Sequence, residues 1–380
     1  MMRYSKNMGR TGSTNLPLHG GKAPRWLFKR MVKLSEGIIE VMIDEFGQET
    51  VLYRLSDPFW FQALSCVLGF DWHSSGTTTV TCGALKEALD AEEHGIVLAG
   101  GKGKASRKTL DEITEKSTIF NLCTSKIQDL TYSSRMTAKI DNDSIQDHHQ
   151  LYHHVFAFTE NGTWTVIQQG LNLEQRYARR YHWFSKDVNS FIQDPHDSIL
   201  GEKTKEPVLD MVSTNSKTCQ KTCVDLINDH PQHLQKDWAK LTRPATQQSL
   251  FASENNDKND INLQFLDMPR SINWKRMREI YEFQPTGYEE LLSMNGVGPK
   301  TVRALALISD LIYGEKPSWK DPVKYTFTVG GKDGVPFPVD KKAMDESIDL
   351  IKQGVEQSKI GYKQKLSSLK KLKKFITMNQ

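Results

Sequence analysis

The sequence predicts an α+β protein, with a mixed α/β N-terminal domain that contains a β-hairpin and a mainly α-helical C-terminal domain. Apolar residues alternate with period two around residues 148–170 and flank Asn161-Gly162, a dipeptide typical of tight hairpin turns. From about residue 270, apolar residues recur mostly at helical spacing. The stretch 241–270 between these parts is polar and is the best candidate for a linker. We therefore expect domains over residues 1–240 and 271–380.

The composition favours an ordinary soluble protein of 380 residues, with 25% charged and 38% hydrophobic residues. No apolar run approaches the roughly 20 residues of a membrane span, and the first residues lack the apolar segment of a signal peptide. The cysteines are few and odd in number, which favours a reducing compartment. We expect a cytoplasmic protein without a membrane partner, and its oligomeric state stays open.

Helices are predicted for much of the first 90 residues. After an irregular start up to about residue 25, the segments 26–34, 38–46 and 57–68 have helical patterns of apolar residues. The segment 71–80 is interpreted as a loop or strand, and a helix is expected to begin near residue 83.

A short apolar strand at 95–99 runs into a glycine-rich basic segment at 100–104, Gly-Gly-Lys-Gly-Lys. Residues 109–112 fit a capping box that opens the next helix. Because glycines allow close approach and Lys102 and Lys104 add charge, this segment is a candidate phosphate-binding site. The spacing is not that of a P-loop, and a flexible basic loop is the alternative.

Four histidines lie close together between residues 148 and 154. On a helix His149 and His153 would share a face, as metal ligands can, but in a strand His153 and His154 point to opposite faces. Cys219 and Cys223 are four residues apart on a predicted helix without a second cysteine pair, which favours a structural role over zinc.

A basic and aromatic stretch follows the hairpin at residues 176–183. Arg179 and Arg180 with neighbouring rings suit single-stranded or distorted nucleic acid. The alternative is a salt-bridged surface around a buried Trp183. For metal-dependent phosphodiester cleavage, Asp71 and Glu160 are the carboxylates to test first, and such a nuclease would need a divalent metal.

The most informative stretch is the segment 294–301, Met-Asn-Gly-Val-Gly-Pro-Lys-Thr, between two amphipathic segments. Proline suits the first turn of a helix, whose unpaired N–H groups and positive dipole end attract phosphate. An ordinary αα turn terminated by glycine is the alternative. The pattern resembles a helix-hairpin-helix motif, a backbone-binding element of many DNA repair proteins. The predicted DNA-binding residues are Gly296, Val297, Gly298, Lys300, Thr301, Lys102, Lys104, Arg179 and Arg180.

The C-terminus adds a second basic feature. Lysines crowd residues 359–374, and leucines recur among them at helical spacing. This pattern predicts a basic amphipathic helix that could extend the DNA-binding surface, and a solvated terminal helix is the alternative.

Residues 270–360 resemble the helix-hairpin-helix DNA glycosylases, in which the lysine of a Gly-Val-Gly-x-Lys-Thr sequence is the amine nucleophile of the bifunctional members. The resemblance implies that Lys300 attacks C1′ of the sugar to form a Schiff base, and that Asp340 in Val339-Asp340 assists. The separation of Lys300 and Asp340 is about twice that usual in the family, and no four-cysteine cluster follows. A phosphate-binding role for Lys300 is therefore slightly favoured.

The whole chain also resembles a family of archaeal and bacterial proteins catalogued as the domain-of-unknown-function 763 family. The resemblance is carried by segments spread over most of the chain, at residues 10–12, 19–24, 71–76, 168–170, 178–183 and 330–334. It implies no assigned chemistry.

These observations predict a DNA-binding protein that recognises or processes damaged or branched DNA, in DNA repair. If it is catalytic, a glycosylase/lyase centred on Lys300 and a metal-dependent nuclease centred on N-terminal acids are the two forms. The alternative is a non-catalytic DNA-binding module that recruits other factors.

Overall fold

The computed structural model describes residues 23–69, 75–201, 207–242 and 268–323, together with several residues between 349 and 372. The first helix is kinked at Gly47, where φ is +79°. The second begins at Pro58, and the Asp57 carboxylate caps it by accepting from the N–H groups of Phe59 and Trp60. The helices of this part are α1 (Arg25–Ser56), α2 (Pro58–Leu68), α3 (Ser75–Ala88) and α4 (Ala91–His94).

An antiparallel sheet with the order β1-β3-β4-β5-β6 forms the centre of the protein. Its hairpin between β3 and β4 turns at Asn161-Gly162, where Gly162 has a φ of +78°, so the predicted hairpin is confirmed. The strands are β1 (Ile96–Lys102), β3 (Gln150–Thr159), β4 (Trp164–Asn172), β5 (Tyr177–Phe184) and β6 (Ser198–Leu200). A second, two-stranded sheet pairs β2 (Ile145–Gln146) with β7 (Leu209–Asp210).

The remaining helices lie between and after these strands. A π-helix over Ile140–Ser144 continues directly from α6, and it leads into β2. The helices are α5 (Thr109–Ser117), α6 (Thr124–Lys139), α7 (Lys217–Asn228), α8 (Pro231–Thr242), α9 (Trp274–Phe283), α10 (Tyr288–Ser293) and α11 (Pro299–Tyr313). Residues 351–357 are also helical.

The five-stranded sheet buries both of its faces. On the α1 face, Val155 and Ala157 of β3 belong to a core shared with α1, α2 and α3. On the α6 face, Phe156 and Phe158 belong to a second core, which also contains Leu291 of α10 and Ile308 of α11. The antiparallel sheet with helices on both faces confirms the α+β class.

Two local predictions are corrected. Residues 75–80 form the start of α3 rather than a loop or strand, because Thr77, Thr78 and Thr81 are buried on a helix that packs against α1. The capping box at 109–112 does not form. Thr109 is already helical, and Glu112 instead accepts a hydrogen bond from the N–H of Gly100 at 2.8 Å.

The domain boundaries stay a prediction, and most of the expected linker, residues 243–267, lies outside the described residues. Within the described part, none of the helices is both long enough and apolar enough to cross a membrane.

Candidate functional site

The turn between α10 and α11, residues 294–298, has the backbone expected for a tight connection. Gly296 has a φ of +90°, and a Cβ there would lie 3.0 Å from Cγ of Arg276, so glycine is required for both conformation and space. Gly298 is the N-cap of α11 and offers no side-chain cap, and Pro299 is the first helical residue. The first N–H groups of α11 therefore have no partner within the helix.

A lysine of α6 holds the turn from the interior. The Nζ of Lys139 donates hydrogen bonds to the carbonyl oxygens of Leu292 at 2.7 Å and Val297 at 2.6 Å. Burial lowers the pKa of Lys139, and the nearby Asp143 opposes that shift. Because Lys139 binds carbonyl groups of the turn, it fixes the turn while the start of α11 stays without a cap.

The side chains of the motif divide between the core and the surface. Val297 and Thr301 are buried, and Val297 belongs to the core of the α6 face. Lys300 is exposed at the start of α11. The structure thus places a positive side chain at the positive end of the helix dipole.

A cavity of about 400 Å³ lies beside the turn. Lys139 lines this cavity as well as holding the turn, so the two features adjoin. Cations and hydrogen-bonding groups from α6, β3, the π-helix and the 3-10 turn before α5 line the rest, together with the carboxylate of Asp143. The lining residues that matter below are Arg107, Ser134, Arg135, Lys139, Asn142 and His154.

The glycine-rich segment 100–104 ends β1 near the same cavity. A Cβ on Gly100, whose φ is +91°, would lie 2.2 Å from the carbonyl oxygen of His154, so only glycine fits there. Lys102 and Lys104 are exposed, and the Lys102 ammonium lies 5.8 Å from the centre of the Tyr152 ring. The glycine at position 100 therefore serves strand packing, and the two lysines are available to an anion.

A chain of polar side chains leads from the cavity into the core of the α6 face. Ser134 of α6 is hydrogen-bonded to His154, which is bonded to Gln168 of β4, which is bonded to Asp141 of the π-helix. His196 also bonds Asp141. Burial raises the pKa of Asp141, and His196 opposes that shift.

Arg179 and Arg180 are both fully buried on β5. Arg179 forms ion pairs with Asp147, at 2.8 Å, and with Asp321. The interpretation of these arginines as an exposed DNA-binding patch is therefore wrong, because their side chains have no surface to present. The alternative of ion pairing around a buried Trp183 is closer, although the arrangement is in the core rather than at the surface.

The predicted carboxylates and the lysine nucleophile are not brought together by the described residues. Glu160 is exposed in the hairpin turn between β3 and β4. Asp71 and Asp340 lie outside the described residues, so the predicted pairing of Lys300 with Asp340 remains a prediction.

The histidines of β3 and the cysteines of α7 are buried. His149 bonds Asp147, His154 bonds Ser134 and Gln168, and both are buried. Cys219 and Cys223 are buried on α7. In the ranges that the structure describes, no group of three or more histidine, cysteine or acidic side chains has the arrangement of a metal site.

Three residues of this region that sequence patterns did not indicate are Ser134, Lys139 and Asp141. All of them lie within one stretch that continues from α6 into the π-helix. The spacing of α6 predicts which of its faces is buried but not which strand residues meet it. A signal for the site would have required the pairing of β3 with β4, which brings His154 opposite Gln168.

Comparison with known proteins gives one match. A family model described as "Protein of unknown function (DUF763)" matches residues 12–339, whereas no curated protein and no solved structure matches the chain. The resemblance to helix-hairpin-helix glycosylases is not tested by this match and stays a prediction. Because the matched range covers most of the 380 residues, the chain belongs to this family of unknown function.

Proposed function

We propose that the protein binds DNA and recognises or processes damaged or branched DNA, with the turn between α10 and α11 holding the phosphate backbone. One observation supports this most. Lys139 binds carbonyl groups of the turn from the interior, while the N-terminus of α11 has no side-chain cap and Lys300 is exposed beside it. Such a helix start favours phosphate and reads no base sequence, which suits recognition of DNA structure rather than sequence.

Further cations lie close to the turn. Arg107 and Arg135 are exposed and line the adjoining cavity, and among the described residues neither forms an ion pair with a carboxylate. Lys102 and Lys104 are exposed on the segment that ends β1. A backbone that crosses this region would meet positive charge at several points, so binding would weaken steeply with salt.

The catalytic forms of this proposal differ in what they require. A glycosylase/lyase needs the Lys300 amine to reach a sugar carbon and form a Schiff base. A metal-dependent nuclease needs carboxylates around a divalent metal, and Asp71 and Glu160 remain its candidates. A recruitment module needs only the binding surface. The exposure of Lys300 suits both phosphate binding and amine chemistry.

The proposal is tested by fluorescence anisotropy with labelled intact, abasic, nicked and flap duplexes over a range of salt concentrations. We expect tighter binding to the damaged or branched duplexes. Replacing Lys300→Ala should weaken binding by about three- to tenfold and reduce the salt slope by about one, since one phosphate contact is lost.

Lys316→Ala is the matched control. Lys316 is exposed just after α11, roughly 20 Å from Lys300 at about 1.5 Å per helical residue. It removes the same charge and should leave binding within about twofold of the wild type. Equal losses from the two variants, or no salt-dependent binding at all, would show that the turn is not the DNA contact.

The same duplexes separate the catalytic forms. Borohydride trapping that disappears in Lys300→Ala supports the lyase. Cleavage that requires Mg²⁺, stops with EDTA and survives Lys300→Ala supports the nuclease. Binding without any product supports the recruitment module.

A further inference from the structure

The hydrogen bonds between Ser134 and Asp141 form a continuous chain. The Oγ of Ser134 lies 2.8 Å from Nε2 of His154, and Nδ1 of His154 lies 2.8 Å from Oε1 of Gln168. The Nε2 of Gln168 donates to Oδ2 of Asp141 at 2.6 Å. Trp183 donates to the same carboxylate oxygen from Nε1 at 3.1 Å.

The donor and the acceptor of each hydrogen bond are assigned from Asp141, at the opposite end of the hydrogen-bond chain from Ser134. The indole N–H of Trp183 donates to Oδ2 of Asp141, and the amide NH₂ of Gln168 donates to the same oxygen. The Gln168 oxygen then faces His154 and accepts from Nδ1–H. This fixes the tautomer of His154, leaving the Nε2 lone pair to accept the hydroxyl proton of Ser134.

A serine hydroxyl that donates to an imidazole held by a third group is the arrangement of an activated nucleophile. Burial lowers the pKa of His154 to about 4, with Gln168 opposing the shift, so the imidazole is neutral near pH 7 and can take a proton. Asp141 lies in a π-helix, a feature frequent at functional sites.

The serine and the histidine open onto a cationic cavity. Ser134 and His154 both line the 400 Å³ cavity, together with Arg107 and Arg135. The two arginines are exposed and unpaired with carboxylates among the described residues, so they are available to the oxygens of an anionic ester. Lys139 lines the cavity and also binds the turn that we assign to DNA.

We infer that Ser134 is a catalytic nucleophile toward a phosphodiester, with His154 as its general base and Gln168 as a positioning residue. The choice of a DNA phosphodiester as substrate rests on the proposed function, because it depends on the turn holding a strand beside the cavity. Arg107 and Arg135 face the non-bridging oxygens, whose negative charge they stabilise.

The reaction balances with water as the co-reactant. The Oγ of Ser134 forms a bond to phosphorus as the bond from phosphorus to one sugar oxygen breaks. The Oγ proton moves to Nε2 of His154, and the departing sugar oxygen takes its proton from water. A second water then attacks phosphorus and gives its proton to the hydroxide that the first water became. The bond from phosphorus to Oγ breaks, and the proton on Nε2 of His154 returns to Oγ of Ser134.

The chain of bonds could instead serve only to satisfy buried polar groups, and covalent labelling separates the two roles. The full-length protein is treated with a fluorophosphonate probe, and the modified peptide is identified by mass spectrometry. Attack by Ser134 forms an Oγ–P bond and expels fluoride, while the proton moves to His154. We expect one label per chain, on Ser134.

Matched variants make the labelling specific. Ser134→Ala should reduce labelling to background, whereas Ser133→Ala, on the neighbouring buried serine outside the cavity lining, should stay within about twofold of the wild type. His154→Gln should slow labelling by about a hundredfold through loss of the base. Thermal unfolding of each variant verifies that it folds. If the wild-type protein unfolds cooperatively but takes up no label, the assignment of Ser134 as a nucleophile is overturned.

The substrate is tested with duplexes that carry a bridging phosphorothiolate, whose thiolate leaves without protonation. We expect release of the thiolate, measured with a thiol-reactive dye, that Ser134→Ala abolishes and Ser133→Ala retains. Labelling of Ser134 without thiolate release, in a protein that binds DNA, overturns the phosphodiester assignment. Labelling without any DNA binding overturns that assignment together with the proposed function, but not the reactivity of Ser134.

Discussion

The two faces of the five-stranded sheet hold adjacent arginines of β5 in opposite ways. On the α6 face, the guanidinium of Arg179 pairs with the carboxylates of Asp147 and Asp321. On the α1 face, Arg180 donates to the neutral oxygens of Gln62 at 3.2 Å and Thr78 at 3.4 Å. Both side chains are fully buried, so the difference lies in their partners and not in their exposure.

The partners change the electrostatics of the two faces. Burial alone would lower the pKa of Arg179, but Asp147 and Asp321 outweigh it and raise the pKa above its ordinary value. Burial lowers the pKa of Arg180 to about 10, and the nearby Cys82 and Cys66 oppose the shift only in part. The guanidinium of Arg180 also lies 4.7 Å from the centre of the Phe61 ring.

Two of the carboxylates on the α6 face come from the stretch that follows α6. Asp141 belongs to the π-helix, and Asp147 comes just after β2. Their hydrogen bonds and ion pairs link the polar side chains of that face into connected chains. One of these chains ends at Ser134 in the cavity. Among the described residues, the buried Arg180 on the α1 face has neutral partners instead, the oxygens of Gln62 and Thr78. The face that organises charge is therefore also the face beside the candidate site.

The largest expected effect is the difference between Arg179→Met and Arg180→Met. Arg179→Met removes the cation from two buried carboxylates, so it should lower the free energy of unfolding by about 3–5 kcal/mol. Arg180→Met removes a buried charge that no described carboxylate compensates, so the cost should be about 1 kcal/mol or less. Urea unfolding of both variants measures the difference.

Equal losses from the two variants would contradict this account of the faces. Arg179→Lys serves as an additional control, because it retains a charge but cannot bridge Asp147 and Asp321 with a planar fork. We expect its stability to lie between those of the wild type and Arg179→Met.

The buried arginines show why β5 was misinterpreted from its sequence. The strand reads Tyr-Ala-Arg-Arg-Tyr-His-Trp-Phe at 177–184, without the alternation of a strand that has one solvated face. Its arginines resemble a basic patch because sequence proximity does not show Asp147 or Asp321, which strand pairing and the C-terminal part bring close. By contrast, the hairpin at Asn161-Gly162 is determined locally and was predicted correctly.

The candidate site divides in the same way. The turn at 294–298 is recognisable because its glycines and the following Pro299 are neighbours in sequence, and each favours the backbone conformation found there. The chain from Ser134 through His154 and Gln168 to Asp141 joins a helix, two strands and a π-helix. The register of β3 against β4 places His154 opposite Gln168, and the packing of α6 on these strands brings Ser134 to them. Single-sequence patterns specify neither the register nor the packing.

The second prediction concerns His153, which shares the α1 face with Val155 by strand alternation. Both ring nitrogens of His153 are buried, and neither has a hydrogen-bond partner among the described residues. Burial lowers the pKa of His153 to about 3, and the nearby His154 and Lys102 act in the same direction. His153→Leu, which removes two unsatisfied polar atoms at similar volume, should stabilise the protein by about 1 kcal/mol at pH 7.

The advantage of His153→Leu should grow in acid. The folded-state pKa of about 3 lies below the unfolded value near 6.5, so between these values the unfolded chain binds the proton and wild-type stability falls as pH falls. From pH 7 to pH 4 the gap between variant and wild type should widen by roughly 3 kcal/mol. A gap that does not depend on pH, measured by urea unfolding at each pH, would show that His153 finds a partner in the folded protein.

The smallest expected effect compares Gln168 with Gln169, adjacent buried amides of β4 that point to opposite faces. Gln168→Met removes the group that holds His154 in its tautomer, so labelling of Ser134 by the fluorophosphonate should slow by about tenfold, equivalent to about 1.4 kcal/mol. Gln169→Met removes the amide that donates to the carbonyl oxygen of Ser75 and to the hydroxyl of Tyr152, and it leaves the chain on the α6 face intact. Each variant loses two hydrogen bonds, so both should lower stability by about 1–2 kcal/mol. A purely structural role for Gln168 would slow labelling equally in the two variants, whereas a positioning role slows it only when the amide on the α6 face is removed.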